Sequence, residues 1–427
     1  MVLAAPLHGR AEPAPVGAGA DAPSRPRRLT LRPTWDDGIV FGIGTVHERP
    51  SPLGLAHLFP GRMLVSGRVG ARLHVDAADF ASGGDVAPVG LDVDVRRAYV
   101  NLGGDVALQW PVRYYFEFGV LKEKAYLDRG WFDVRRPGSD LVLSIGQFYA
   151  PLGMDQLTSS NTITFLERAQ PIQAFAPANK AGIQLSRASD ERDVAWAFGG
   201  FTDTSRADAA DGTEGPTRLV GRVVWVPRAL ADPHVHHLVH LGLAGEYVLS
   251  TSASVHYKAT PESSLAPPLV DTGTIAASHA GVHGLELAIQ RGPFLVQSEY
   301  LGSVVAPEAR PAALFFGGYV SISAMLTGEA RPYDRRRGAF GMPIPTVPFS
   351  LRDRLWHGAV EIGMRYSYLD LDAGGVSGGR DHALSFGLNW YWNRHLRIMA
   401  DYALTVVTGG KPDGTLQAFQ TRLQLVY

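Results

Sequence analysis

The sequence has no cysteine, which removes disulfides, thiolate metal sites and cysteine nucleophiles together. It has almost no net charge, −1 over 427 residues, so no global field marks a nucleic-acid binder. Lysine is scarce, with five against 35 arginines. Charged residues are 19% and hydrophobic residues 45%. That balance excludes a disordered chain, which needs low hydrophobicity and high net charge. There is no P-loop and no zinc-protease motif. The lack of a nucleophile constellation argues against an enzyme, and no metal or cofactor is expected.

Long apolar runs are missing as well. The one uncharged stretch, 311–328 (PAALFFGGYVSISAMLTG), is slightly short for a helical span of ~20 apolar residues. Its Leu314, Phe316, Val320 and Ile322 fall on one face of a strand, and Gly317, Tyr319, Ser321 and Ser323 on the other. A period of two predicts a strand. The start, MVLAAPLHGRA, lacks the basic region and apolar core of a secretory signal. Residues 12–28, rich in Ala and Pro, read as a flexible leader. The expected division is a leader and periplasmic segment over 1–61, partly flexible, and a barrel over 62–427.

What is present is alternation. Strand faces alternate with period two, and in a transmembrane barrel one face is apolar and the other polar over ~10 residues. Leu396, Ile398, Ala400, Tyr402, Leu404 and Val406 oppose His395, Arg397, Met399, Asp401 and Thr405. Leu384, Phe386, Leu388, Trp390 and Trp392 oppose Ser385, Asn389 and Asn393. A soluble sheet with one wet face alternates in the same way. Two features favour a membrane: Trp and Tyr near strand ends, as interfacial girdles require, and a terminal amphipathic strand that closes on Tyr427.

Sixteen strands are predicted, at about 62–76, 91–102, 107–119, 126–135, 140–149, 181–189, 192–202 and 216–227, then 238–250, 282–291, 293–302, 312–328, 356–371, 381–393, 395–407 and 415–427. With the N-terminus in the periplasm, even-to-odd connections should be short and odd-to-even ones longer. The connections at 228–237 and 329–355 break that rule.

GQFYAPLGMDQLTSSNTITFLERA (146–169), LTGEARPYDRRRGAF (326–340), GLNWYWNRHLRIMADY (387–402) and the ending FQTRLQLVY (419–427) resemble the phosphate-selective porin family (porin O and P type) of Gram-negative outer membranes. RRAYV (96–100) and RYSYLDLD (365–372) agree with it, and the pieces stand in family order over about 62–427. The resemblance implies an all-β fold, a sixteen-stranded antiparallel transmembrane β-barrel, usually a trimer. It also implies that the third outer loop folds into the lumen as a constriction loop. That loop is 150–180, which places Glu167, Arg168 and Lys180 near the narrowest point.

The family name implies anion uptake. Arginine suits phosphate because its planar fork binds oxygens in pairs. By alternation the lumen-facing candidates are Arg68, Arg72, Arg96, Arg113, Arg218, Arg222, Arg365, Arg397 and Arg422. The lumen also carries Asp92, Asp94, Glu117, Glu361 and Asp401, so each arginine is read either as a structural partner of an acid or as an anion ligand. The expected partners are outer-membrane lipid and lipopolysaccharide, small anions or other small solutes, and further copies in a homotrimer, with no nucleic acid.

The cluster His234, His236, His237 and His240 reads as a solvated turn at the barrel rim rather than a metal site, because no carboxylate or thiol completes it nearby. Arg335, Arg336 and Arg337 read as a solvated periplasmic turn anchored by Glu329. The expected function is a diffusion channel for small hydrophilic solutes that prefers anions. A non-selective general porin, an outer-membrane barrel enzyme, a soluble all-β binding protein and a channel for an apolar solute are the alternatives.

Overall fold

The computed structural model describes residues 28–34, 38–45, 62–121, 124–176, 179–202, 217–231, 236–249, 253–307, 311–350, 352, 357–410 and 412–427. Sixteen strands form one closed wall. The first eight are β1 (Arg62–Gly84), β2 (Asp92–Val106), β3 (Val112–Leu121), β4 (Lys124–Arg135), β5 (Leu141–Tyr149), β6 (Asn179–Arg187), β7 (Val194–Thr202) and β8 (Thr217–Trp225). The second eight are β9 (Leu238–Leu249), β10 (Ile275–Arg291), β11 (Phe294–Pro307), β12 (Ala313–Met325), β13 (Ala359–Ala373), β14 (Val376–Tyr391), β15 (Leu396–Thr408) and β16 (Gly414–Val426). Each pairs antiparallel with its sequence neighbours, and β16 closes on β1 from Gly414↔Gly84 to Val426↔Arg72. All sixteen predicted strands are found, and the 311–328 run contains β12 rather than a helix.

The alternation is inside-out relative to a water-soluble sheet. Along β16, Gln420, Arg422 and Gln424 are at most 3% exposed, while Phe419, Leu423 and Leu425 are 58%, 44% and 41% exposed. Leu285, Leu287 and Ile289 on β10 repeat this against buried Glu286 and Gln290. An outer wall of this kind needs lipid around it. In lipid every backbone polar group must be satisfied internally, and a closed barrel does so without edges.

The long connections from β5 to β6, β7 to β8 and β9 to β10 all leave from the opposite end, so the end at which the chain terminates is the periplasmic one. At that rim β1 runs on below the end of β16. There a hairpin of Arg28–Thr34 and Gly38–Thr45 takes over the pairing, from Ile39↔Val69 to Thr45↔Arg62. The leader expected over 12–28 lies outside the described residues except Arg28.

Bulges correct the period-two reading in places. The register shifts between His74 and Val75, where Arg97 and Val95 are the partners, so Arg96 is the extra residue. Arg97 then sits opposite His74 on the lumen face. An extra residue on one strand re-aims the side chains around it.

Candidate functional site

The lumen is occupied by chain segments from both ends. The connection between β5 and β6 folds inward, with two short helices, α1 (Met154–Leu157) and α2 (Gln170–Phe175). Most of the remainder is irregular, so its backbone groups have few partners of its own, and a buried unpaired N–H or C=O costs about as much as a lost hydrogen bond. The wall supplies the partners. Acids accept from the loop's N–H groups: Glu299 from Met154 and Asp155, at 2.7 Å each, and Asp401 from Leu166 at 2.7 Å. Basic and amide side chains donate to its carbonyls: Arg397 to Ile163 at 2.8 Å, Asn389 to Thr164 at 2.8 Å, Arg422 to Leu166 at 2.7 Å and Gln424 to Asn161 at 2.9 Å. The strongly charged wall of β11–β16 is therefore a set of loop anchors.

Glu167 stands at the tip of this arrangement. It accepts from Arg96 at 3.0 Å and from Arg422 at 2.9 Å, and Arg422 also forks onto Asp76 at 2.6 Å through both nitrogens. Burial pushes the Glu167 carboxyl up, but Arg96, Arg97 and Arg422 together hold it well below the usual carboxylate range. A depressed carboxyl contributes stability that is complete above its unfolded value of 4.5 and is lost as pH falls through the lower folded value. The open-channel current noise should therefore be the same at pH 7 and pH 5 and should grow only below about pH 4.5. Single-channel recordings over that range check it, and noise that grows between pH 7 and pH 5 would contradict it. Arg168 is half-buried. It donates to the carbonyls of Asp155, Gln156 and Thr158, at 2.8–3.2 Å, and so caps the end of α1. Lys180 lies within β6, opposite Phe148, rather than in the loop.

The nine arginines singled out by alternation are placed as follows. Arg72 pairs with Glu117 at 2.7 Å, Arg113 with Asp105 at 3.2 Å and Arg96 with Glu167. Arg218 pairs with Glu246, and Arg222 with Glu286 at 2.6 Å. Arg365 pairs with Glu262 at 2.5 Å, Arg422 with Asp76, and Arg397 holds loop carbonyls. Arg68 is exposed on the lumen register near the periplasmic rim. Asp92 and Asp94 are exposed at the outer end of β2.

Two further insertions were not legible in the sequence. From the outer end, a small hairpin (Lys258–Ala259 with Val270–Asp271) lowers Glu262 into the lumen, where it also accepts from Ser367 at 2.5 Å. From the periplasmic end, the connection between β12 and β13 folds back inside. Arg336 and Arg337 are exposed in a turn, as expected, but the segment that carries them lies inside the barrel. Glu329 does accept from the Thr346 N–H at 3.0 Å, but Arg331, Ala339 and Phe340 beyond it are buried. Arg331 forks onto Glu361 at 2.7 and 2.8 Å, donates to the Thr162 carbonyl at 2.6 Å and reaches the Tyr391 hydroxyl at 3.1 Å. Burial works against its charge, yet Glu361 and Tyr391 hold its pKa above the ordinary arginine value. The segment's tip is Gly338, at φ +61°, whose carbonyl accepts from Arg222 at 2.8 Å. A side chain there would meet Arg222 Nη1 at 2.9 Å.

His240 belongs to the same anchor and not to a rim turn. It is buried between the Tyr333 hydroxyl at 2.6 Å and Glu286 at 2.9 Å. His236 is exposed, and His234 lies outside the described residues. Among the described residues no group of three or more His, Cys, Asp or Glu side chains is placed to hold a metal.

The insertions fill the side of the lumen under β9–β16 and leave the side under β3–β8 open. A cavity of about 420 Å³ lies there, walled by six arginines (Arg113, Arg129, Arg135, Arg222, Arg336, Arg337) and three aspartates (Asp133, Asp140, Asp334). Beside this cavity β5–β7 present the small side chains of Ser144, Ser186, Ala195 and Ala197. Small residues leave the space, and the arginines give it a positive balance. Arg129 bonds Glu117 at 2.6 Å, whereas the Nε of Arg135 has no hydrogen-bond partner. Arg337 is 3.7 Å from Asp334 and mostly exposed, and Arg336 is 3.7 Å from exposed Asp190. Arg129 and Arg135 were missed in the sequence, although they share a period-two face with Trp131 and Asp133.

A family model described as phosphate-selective porin O and P matches residues 68–427. Porin O of Pseudomonas aeruginosa is 25% identical over 403 residues, covering 84% of this chain and 88% of that protein. An uncharacterized protein of Caulobacter vibrioides is 28% identical over 356 residues, covering 80% of this chain and 69% of that protein. In fold, the chain is similar to an anion-selective porin from Comamonas acidovorans, with TM-score 0.55 and 9% identity over 85% of this chain and 100% of that one. It is also similar to the trimer form of OmpT of Vibrio cholerae, with TM-score 0.53 and 10% identity over 85% of this chain and 99% of that one.

Proposed function

Because the chain belongs to the phosphate-selective porin O and P family and folds as an outer-membrane channel, we propose that it passes small hydrophilic anions by diffusion, as a homotrimer in outer-membrane lipid and lipopolysaccharide. The observation that carries the anion preference is the cavity under β3–β8, with six arginines against three aspartates. Rings or patches of one charge sign at close quarters bias which ion enters a pore. Two of those arginines, Arg336 and Arg337, are presented by the periplasmic insertion rather than by the wall. Phosphate and similar oxyanions are the favoured solutes, since guanidinium forks match their geometry.

The loop anchors have a different role in this reading. Arg72, Arg222, Arg365, Arg397 and Arg422 fix the shape of the lumen, while Arg135, Arg336 and Arg337 meet the passing ion. Arg68 meets it at the rim. The work is physical: the lumen replaces part of the ion's water, the insertions set the width, and the exposed arginines set the sign. No chemical step is required of any residue.

The test is conductance of the purified protein in a planar bilayer under a salt gradient. Current steps arriving in groups of three, with a zero-current potential of anion sign, are expected. A folded barrel that passes no current would overturn the open-pore reading.

A further inference from the structure

The same cavity is lined by more than charge, and its aromatic content bears on which anions it holds. This rests on the anion-preferring reading above. On β4 the lumen face runs Arg129, Trp131, Asp133, Arg135, so the indole has Arg129 and Asp133 as its neighbours, with Arg135 one place beyond Asp133. Alternate residues on a strand are about 7 Å apart. Trp131 stacks on Tyr115 with ring centres 5.7 Å apart and planes 22° apart. The guanidinium of Arg129 lies 5.5 Å from the rings of Tyr115 and Tyr149 alike. Beside this aromatic shelf, on the next two strands of the same wall, stand Ser144, Gln184 and Ser186, which offer hydroxyl and amide groups but little bulk; Ser144 donates to Asp133 at 2.6 Å.

Such a lining exceeds what a bare oxyanion needs. Orthophosphate has no face to lay on a ring, and it fills a small part of a cavity of about 420 Å³. That volume is in the range of sites for ring-bearing small molecules, roughly 300–1,000 Å³. A polar ring needs a flat apolar surface under its face and hydrogen-bonding groups at its edge. It finds Trp131 and Tyr115 under its face and the serines and glutamine of the neighbouring β5 and β6 at its edge. A phosphate on that ring is drawn to Arg135, Arg336 and Arg337. Arg129 is already bonded to Glu117 and serves to hold the shelf.

We propose that this cavity binds ring-bearing organic phosphates of sugar-phosphate size, with the ring on the Trp131–Tyr115 shelf and the phosphate on the Arg135, Arg336 and Arg337 side, in preference to orthophosphate. The probes are glucose 6-phosphate, orthophosphate and neutral glucose, each added as a blocker of chloride current through the full-length channel. Covering the apolar C–H face of a pyranose with an indole removes on the order of 50 Å² of apolar surface from water, which is worth about tenfold in affinity. Glucose 6-phosphate should therefore block at a concentration about tenfold lower than orthophosphate does, and glucose should not block over the same range. Trp131→Ala should erase the difference while leaving orthophosphate block and the zero-current potential unchanged, and Trp131→Phe should keep part of it. If the alanine variant fails to assemble, Trp131→Leu keeps bulk without a ring and reads the same difference. Equal or stronger block by orthophosphate, or an advantage that survives loss of the ring, would overturn the proposal. So would block by glucose alone. A zero-current potential with no anion preference would instead mean that the underlying anion reading has failed.

Discussion

Replacing Arg331 by methionine should raise single-channel conductance severalfold and lower the temperature at which the barrel unfolds. Arg331 is the point where the periplasmic insertion meets both the wall and the constriction loop. It bonds Glu361 on β13, the Thr162 carbonyl on the loop and the Gly341 carbonyl on its own segment. Its side chain is 3% exposed and that of Glu361 is fully buried. Removing one partner of a buried pair leaves an uncompensated charge, which costs about 3–5 kcal/mol. The segment should then leave the lumen and widen the path. The double variant Arg331→Met with Glu361→Gln separates the two effects. It removes the stranded charge, so it should recover most of the thermal stability while conductance stays high. Conductance unchanged in the single variant would mean that this segment does not narrow the pore.

The second large effect is expected at Arg422. Its guanidinium is fully buried and serves Asp76, the Leu166 carbonyl and Glu167 at once. Methionine there strands two acids against Arg96 and Arg97 alone and frees the loop tip. The expected result is a loss of about 3–5 kcal/mol in urea unfolding and a current that flickers between levels. Lysine should rescue little, because an ammonium cannot fork onto Asp76 while also reaching two loop acceptors. A stable, quiet Arg422→Lys channel would show that the fork geometry is dispensable.

These anchors mark where the sequence stopped being legible. The sixteen strands could be read because each residue's face follows from its neighbours two away, and lipid outside with water inside makes the contrast strong. Arg422, Arg397 and Glu361 were assigned to the lumen on that basis. Their partners could not be assigned. Arg397 and Arg422 bond loop carbonyls more than two hundred residues away, and carbonyls look alike in every residue; the partner of Glu361 is an arginine from a segment read as lying outside the barrel. The bulge at Arg96 hid Arg97 because one extra residue inverts the face reading from that point. The periplasmic insertion was hidden for a different reason: RPYDRRRGAF is polar enough to read as a solvated turn. Wall residues such as Glu361, Arg222 and His240, which bond the segment, make its interior position stable. Arg129 and Arg135 needed no structure at all, since the alternation that gave Arg113 gives them too.

The central proposal is a path under β3–β8 whose arginines set the ion preference. The most direct test is the zero-current potential of the wild-type channel in a potassium chloride gradient, compared with a variant carrying Arg135→Gln, Arg336→Gln and Arg337→Gln. The wild type should be anion-selective and the variant's potential should move toward zero or to cation sign, because these changes leave the three aspartates of the cavity in place. A variant as anion-selective as the wild type would place the selecting charges elsewhere and contradict the proposal.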